Sequence, residues 1–159
     1  MRYNNSARLA IPMDSFKFKI VTPERLVQEL DVVQATMPTA LGDITVLPHH
    51  IPLVASVVPG EIVIKDAEGA EHSFAVSGGF VQVYPGKLVI LADTADMAHE
   101  ISEEQALLAH KRAQELLGQK AGIRDHEYAA LQVLMDKEFA RLKVARKYKQ
   151  RGVRVRDIK

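Results

Sequence analysis

The sequence predicts a mainly β fold with a smaller α part: an N-terminal antiparallel β-sandwich, then a C-terminal antiparallel two-helix hairpin and a basic tail. Three observations predict it. The apolar residues recur with a period of two up to about Ala92, and with steps of three and four after Thr94. Turn signals rich in Gly and Pro cut the first part into short runs with no helix-length segment between them, which argues against a βαβ fold. Charge divides at nearly the same place: residues 1–100 hold seven Lys+Arg against twelve Asp+Glu, and residues 101–159 hold fourteen against eight. With 159 residues, 47% of them hydrophobic, the chain suits a single domain with an appendage and is too apolar for intrinsic disorder.

Residues 1–13 read as a flexible extension. They lack the apolar core of a secretory signal and carry Arg2 and Arg8 with no acid, so a short organellar transit remnant stays open. Met13 would serve as a start equally well. The sandwich domain is assigned to residues 14–94. Phe16, Phe18 and Ile20 alternate with Lys17 and Lys19 as in a half-buried strand. Further strand-like runs are Val32–Met37, Ile44–Leu47, Leu53–Val58, Glu61–Lys65, His72–Val76, Phe80–Tyr84 and Leu88–Leu91. Between them lie turn sequences such as Leu41-Gly42-Asp43, Pro59-Gly60, Ser77-Gly78-Gly79 and Tyr84-Pro85-Gly86.

The hairpin is assigned to residues 95–148. Ser102-Glu103-Glu104-Gln105 is a capping box, with Ile101 and Ala106 placed as a hydrophobic staple. Ala106, Ala109, Ala113, Leu116 and Leu117 follow at helical spacing, and Gly118 supplies a stop. Asp125 is expected to cap a second helix with apolar positions Tyr128, Leu131, Met135, Phe139, Leu142 and Ala145. The first helix offers mostly alanine, each burying less than half of the roughly 1.5–3 kcal/mol of a leucine, so the hairpin is expected to hold weakly and to open. Residues 149–159 complete a basic end: from Arg141 onward nine Lys+Arg face one acid, Asp157. Such an end suits an acidic partner, whether protein, nucleic acid or membrane surface, or is simply a solvated terminus.

Catalytic chemistry finds no foothold. The chain has no cysteine, which removes disulfides, thiolate metal sites and cysteine nucleophiles. Gly86-Lys87 lacks the rest of a phosphate loop, Gly78-Gly79 is a lone pair, and Ser77 has no nucleophile-elbow context. His49 and His50 are adjacent, and on a strand would point to opposite faces; with His72 they have the wrong spacing for a metal set. Asp93 and Asp96 read as caps or solvated charges. No catalytic residue, metal site or cofactor is expected, and the profile is that of a binding or regulatory subunit.

Five strings, in order, carry a resemblance. They are Val21-Thr22-Pro23-Glu24, Gly42-Asp43-Ile44-Thr45-Val46-Leu47-Pro48-His49-His50-Ile51-Pro52-Leu53, Pro59-Gly60-Glu61-Ile62, Phe74-Ala75-Val76-Ser77-Gly78-Gly79-Phe80-Val81 and Ile90-Leu91-Ala92-Asp93-Thr94-Ala95. Together they resemble the epsilon subunit of F-type ATP synthases over roughly Phe16 to Tyr148. The resemblance implies a sandwich and helical hairpin without an active site, in the rotating central stalk, bound to the gamma subunit and the ring of c subunits. It implies a coupling role, with helices that extend toward the alpha and beta subunits and inhibit ATP hydrolysis. The family's loop contact with the c ring and gamma falls on Gly42, Asp43, Leu47, Pro48 and His50, with His49 where glycine is common; Asp43 read alone is a turn residue. Regulatory contacts fall on Arg141, Lys143, Arg146 and Lys147. The ATP-binding string of some relatives, Ile/Leu-Asp-x-x-Arg-Ala, falls on Ile101 to Ala106, where both charged positions are replaced. The implied location is the cytoplasmic face of a bacterial plasma membrane, held there by the complex. The different-class alternative is a nucleic-acid or polyanion-binding module led by the basic tail, although the acidic sandwich lacks an aromatic platform.

Overall fold

The computed structural model describes residues 14–119 and 124–156, with side chains through Gly152. The expectation for residues 1–13 lies outside them. Nine strands come first: β1 (Phe16–Val21), β2 (Leu26–Thr39), β3 (Gly42–Val46), β4 (Leu53–Val57), β5 (Gly60–Asp66), β6 (Glu71–Val76), β7 (Gly79–Tyr84), β8 (Lys87–Ala92) and β9 (Ala95–Met97). Among the described residues a 3₁₀ turn (Ala98–Glu100) and two α-helices follow, α1 (Glu103–Gly118) and α2 (Asp125–Arg156).

The long strand β2 belongs to both layers of the sandwich. Its first half pairs with β1, which continues through β8 and β7 to β4. Its second half lies between β3 and β5, and the layer continues through β6 to β9. The register slips between Val32 and Gln34. At that bulge Val32 and Val33 are both buried, which breaks the alternation and hides the Leu26–Asp31 half of the strand from a period-two reading. The β1–β8 pair is parallel, as joining two meanders edge to edge allows. Alternate residues of both layers, among them Phe18, Ile20, Met37, Ile62, Ile64, Phe74, Leu88 and Ile90, fill one core.

Strand β6 is buried on both faces. Phe74 and Val76 belong to the sandwich core, whereas Ala75 belongs to a second cluster with Ala98, Ile101, Ala106, Leu142, Val144 and Ala145. That second cluster is where the helices dock. Ser102 caps α1, its Oγ accepting the Gln105 amide at 3.4 Å. The staple residues Ile101 and Ala106 both enter the cluster. At α2 the cap differs from the expectation: Asp125 is the first helical residue, Arg124 stands before it, and the Arg124 amide donates to Glu127 Oε2 at 3.1 Å. A carboxylate three residues into the helix reaches back more easily than a side chain in the first helical position, whose own amide points away.

Only part of the expected apolar stripe of α2 is covered. Leu142 and Ala145 are buried, but Phe139 and Tyr128 are exposed. The segment after Tyr148, read as a tail, is helical through Arg156. Basic side chains suit the C-terminal end of a helix dipole, and Arg151 still reaches Glu61, Glu71 and Ser73 of the sandwich.

Candidate partner-binding surfaces

Two surfaces carry the residues singled out from sequence, and they lie apart. The first is the β3 edge. Thr39 and Gly42 close a tight hairpin around Ala40 and Leu41, with Gly42 at φ +112°. Thr39 Oγ1 donates to the Gly42 carbonyl at 2.6 Å and accepts the Leu41 amide at 3.3 Å, so Leu41 is presented fully exposed at the tip. Asp43, the second residue of β3, stands opposite Pro38 and is exposed. Beyond β3 the chain turns at Leu47-Pro48-His49-His50, where the His50 amide donates to the Leu47 carbonyl at 3.2 Å. His49 takes φ +64°, the left-handed region that favours glycine, and its Nε2 lies 2.8 Å from Asp14 Oδ2. His50 folds onto the Ile51 carbonyl (Nδ1–O 2.7 Å). The loop thus displays Leu41, Leu47 and Ile51 as exposed apolar side chains.

The outer face of the first layer adds a stripe that sequence reasoning missed. Cross-strand neighbours Phe80, Leu91, Val21 and Leu26 run in one row over β7, β8, β1 and β2. Phe80, Leu91 and Leu26 are about half exposed, and Val54 is exposed nearby on β4. The row borders a shallow groove beside Thr22, Pro23 and Asp93. Contiguous exposed apolar area of this kind marks an interaction site. Phe80, Leu91 and Val21 are each out of phase with the buried set of their strand, whereas Leu26 joins the row through the register shift between Ile20 and Val21.

The second surface is the basic stretch of α2, where three of the four expected residues pair with acids of the chain while Lys143, Arg146 and Lys147 stay exposed. Arg141 Nε lies 3.1 Å from Asp96 of β9, off the hydrogen-bond direction, while its Nη1 donates to the buried Glu138 at 3.1 Å. Asp96 is therefore an ion-pair partner and not a solvated charge. Arg146 Nε donates to Glu103 of α1 at 3.0 Å, and Lys149 lies 3.7 Å from the same carboxylate. Lys147 is paired with Glu61 of β5. Lys143 is exposed and makes no ion pair among the described residues. None of the acids that receive these charges was read from sequence as an ion-pair partner, because nothing local says that α2 lies over β5 and β9.

Arg146 first, then Lys149, hold the Glu103 carboxyl below the usual carboxylate range. A lowered folded-state pKa contributes stability above the unfolded value and loses it as pH falls through the folded one. Helix docking is therefore expected to weaken below about pH 4, and a Glu103→Gln chain to lose that acid-sensitive component in a helix-melting series from about pH 6 to pH 3. His72 likewise lowers the pKa of Asp66, whose Oδ2 lies 2.8 Å from its Nε2, across the β5–β6 turn.

No group of three or more metal-capable side chains occurs among the described residues, and no described helix is long and apolar enough to cross a membrane. Residues 15–98 match the family model for the β-sandwich domain of the ATP synthase delta/epsilon chain. An ATP synthase epsilon chain of Alkalilimnicola ehrlichii is 34% identical over 143 residues, covering 89% of this chain and 100% of that relative. One of Chloroflexus aggregans is 39% identical over 132 residues, covering 82% and 92%. Among solved structures, a chain of the Euglena gracilis mitochondrial ATP synthase, in its OSCP/F1/c-ring part, superposes with a TM-score of 0.68 at 19% identity, covering 79% of this chain and 78% of that one.

Proposed function

The chain belongs to the ATP synthase delta/epsilon family, and from that premise we propose that it is a non-catalytic rotor subunit, seated on gamma and against the c ring. The observation that carries this reading is the exposed apolar row Phe80–Leu91–Val21–Leu26, next to a loop that projects Leu41, Leu47 and Ile51. These exposed apolar side chains would form the centre of an interface, which in stable complexes covers on the order of 800 Å² per partner. The sandwich suits torque transmission, because both layers share β2 and a continuous core. Gly42, Asp43, Leu47, Pro48 and His50 supply a rigid edge for the polar loops of the c ring. Arg141, Lys143, Arg146 and Lys147 supply cations for acidic surfaces of the alpha and beta subunits once the hairpin extends, and that extension inhibits ATP hydrolysis. The protein then sits peripherally on the cytoplasmic face of a bacterial plasma membrane, held by the complex.

ATP hydrolysis by an assembly of alpha, beta and gamma subunits tests the reading, with the full chain and with a version ending at Glu100. Inhibition by the full chain, lost on truncation while gamma binding persists, is the expected result. Gamma binding by both without inhibition removes the regulatory part. Binding by neither removes the rotor assignment. The polyanion alternative loses its main support, since Arg141, Arg146, Lys147, Lys149 and Arg151 are already engaged by internal acids.

A further inference from the structure

Between Arg146 and Arg151 four basic side chains converge on two carboxylates. Lys147 and Arg151, one helical turn apart on α2, both reach Glu61, whose side chain is only 14% exposed at the start of β5. Arg151 extends the contact to Ser73 of β6, donating to its hydroxyl at 3.2 Å, and to Glu71 at 3.8 Å. Arg146 and Lys149, three residues apart, both reach Glu103 at the first turn of α1. The neighbours Arg146 and Lys147 are turned about 100° from each other around the helix, so one grips α1 while the other grips the sandwich.

Beneath these pairs the docking cluster is made largely of alanine: Ala75, Ala98, Ala106 and Ala145 beside Ile101, Leu142 and Val144. Small side chains remove little apolar area from water, so the charges carry an unusual share of the docking. Sharing matters as much as number. Two cations drawn to one carboxylate repel each other when it is neutralised, so loss of Glu61 costs more than one exposed pair.

We propose that Glu61 forms an ionic latch that holds α2 closed on the sandwich, with Glu103 holding the same helix against α1, and that the two acids occupy the same cations an acidic partner would need. Docked hairpin and outward contact are then mutually exclusive, because Lys147 and Arg146 cannot serve both. The partner half of this statement rests on the rotor reading above; the latch itself is a property of the isolated chain and is tested there.

The chain has no cysteine, so cysteines introduced at the exposed positions Glu68 and Gln150 give two unique spin-label sites on the full-length protein. In about 0.05 M salt the parent is expected to give one short distance, and in about 1 M salt a second, longer one. Glu61→Gln should populate the longer distance at low salt, with amide exchange across Leu142–Arg151 rising about tenfold while β1, β7 and β8 keep their protection. Glu61→Gln combined with Glu103→Gln should open further and lose most of the salt response. Glu24→Gln, which removes an exposed acid outside these contacts, should change nothing. A single unchanged distance in both latch variants, or a parent indifferent to salt, overturns the latch. Neither result touches gamma binding, which is measured separately, so failure of the latch and failure of the rotor reading are distinguishable.

Discussion

Replacing Gly79 by alanine is expected to destabilise the sandwich by more than about 3 kcal/mol, a large part of the roughly 5–15 kcal/mol that holds a domain folded. Gly79 opens β7 at φ +136°, and a Cβ there would stand 2.1 Å from the Leu91 carbonyl oxygen and 2.9 Å from the Ala92 Cα. Both obstacles are backbone of β8, the strand it pairs with, so no side chain can swing aside. The pair must separate at its end, where the Asp93 amide donates to the Gly78 carbonyl at 3.1 Å. Gly69→Ala is the matched comparison. Its φ is +88° but nothing lies within 4 Å, so it carries backbone strain alone, about 1–2 kcal/mol. Thermal midpoints read the difference at about 4–8 °C per kcal/mol for a domain of this size. Equal shifts from the two substitutions would remove close backbone approach as the cause.

Phe74→Ala is expected to cost about 3–5 kcal/mol. The ring is 1% exposed and lies 6.1 Å from that of Phe18, tilted by 33°, so its loss opens a cavity between the two layers and removes an aromatic contact. The urea midpoint should fall with little change in slope, the sign of lost stability without a changed unfolded state. Because Ala75, on the opposite face of the same strand, is the floor of the helix dock, α2 cannot stay docked once the sandwich unfolds. Helices that stay docked to a higher urea concentration than sandwich unfolding would uncouple the two.

The sandwich was legible because its chemistry is local. Alternation in Phe16–Ile20 and turn residues at Gly42, Gly60 and Gly86 act within a few positions, and the strands form where they indicate. The period failed where a bulge left Val32 and Val33 both buried, so half of β2 went unread; β9, three residues long, was too short to carry a period. The helix starts were readable from caps, although the α2 cap belongs to Glu127 and not to Asp125. For the surfaces, the turn at Gly42 and the loop through His50 could be placed from their sequence. The apolar row from Phe80 to Leu26 could not, since it is assembled from four strands brought together by pairing.

Charge was the feature most changed by three dimensions. Composition established a basic helix end and an acidic body, and strand and helix periods established which residues share a face. Those are properties of neighbours along the chain, where geometry is fixed by covalent repeat. Whether Lys147 faces solvent or Glu61 depends on how α2 lies over β5 and β6, across 86 residues of sequence. That placement comes from packing Ala75, Leu142 and Ala145 together. Coulomb energy depends on distance and on burial, neither of which a sequence contains until the core has formed.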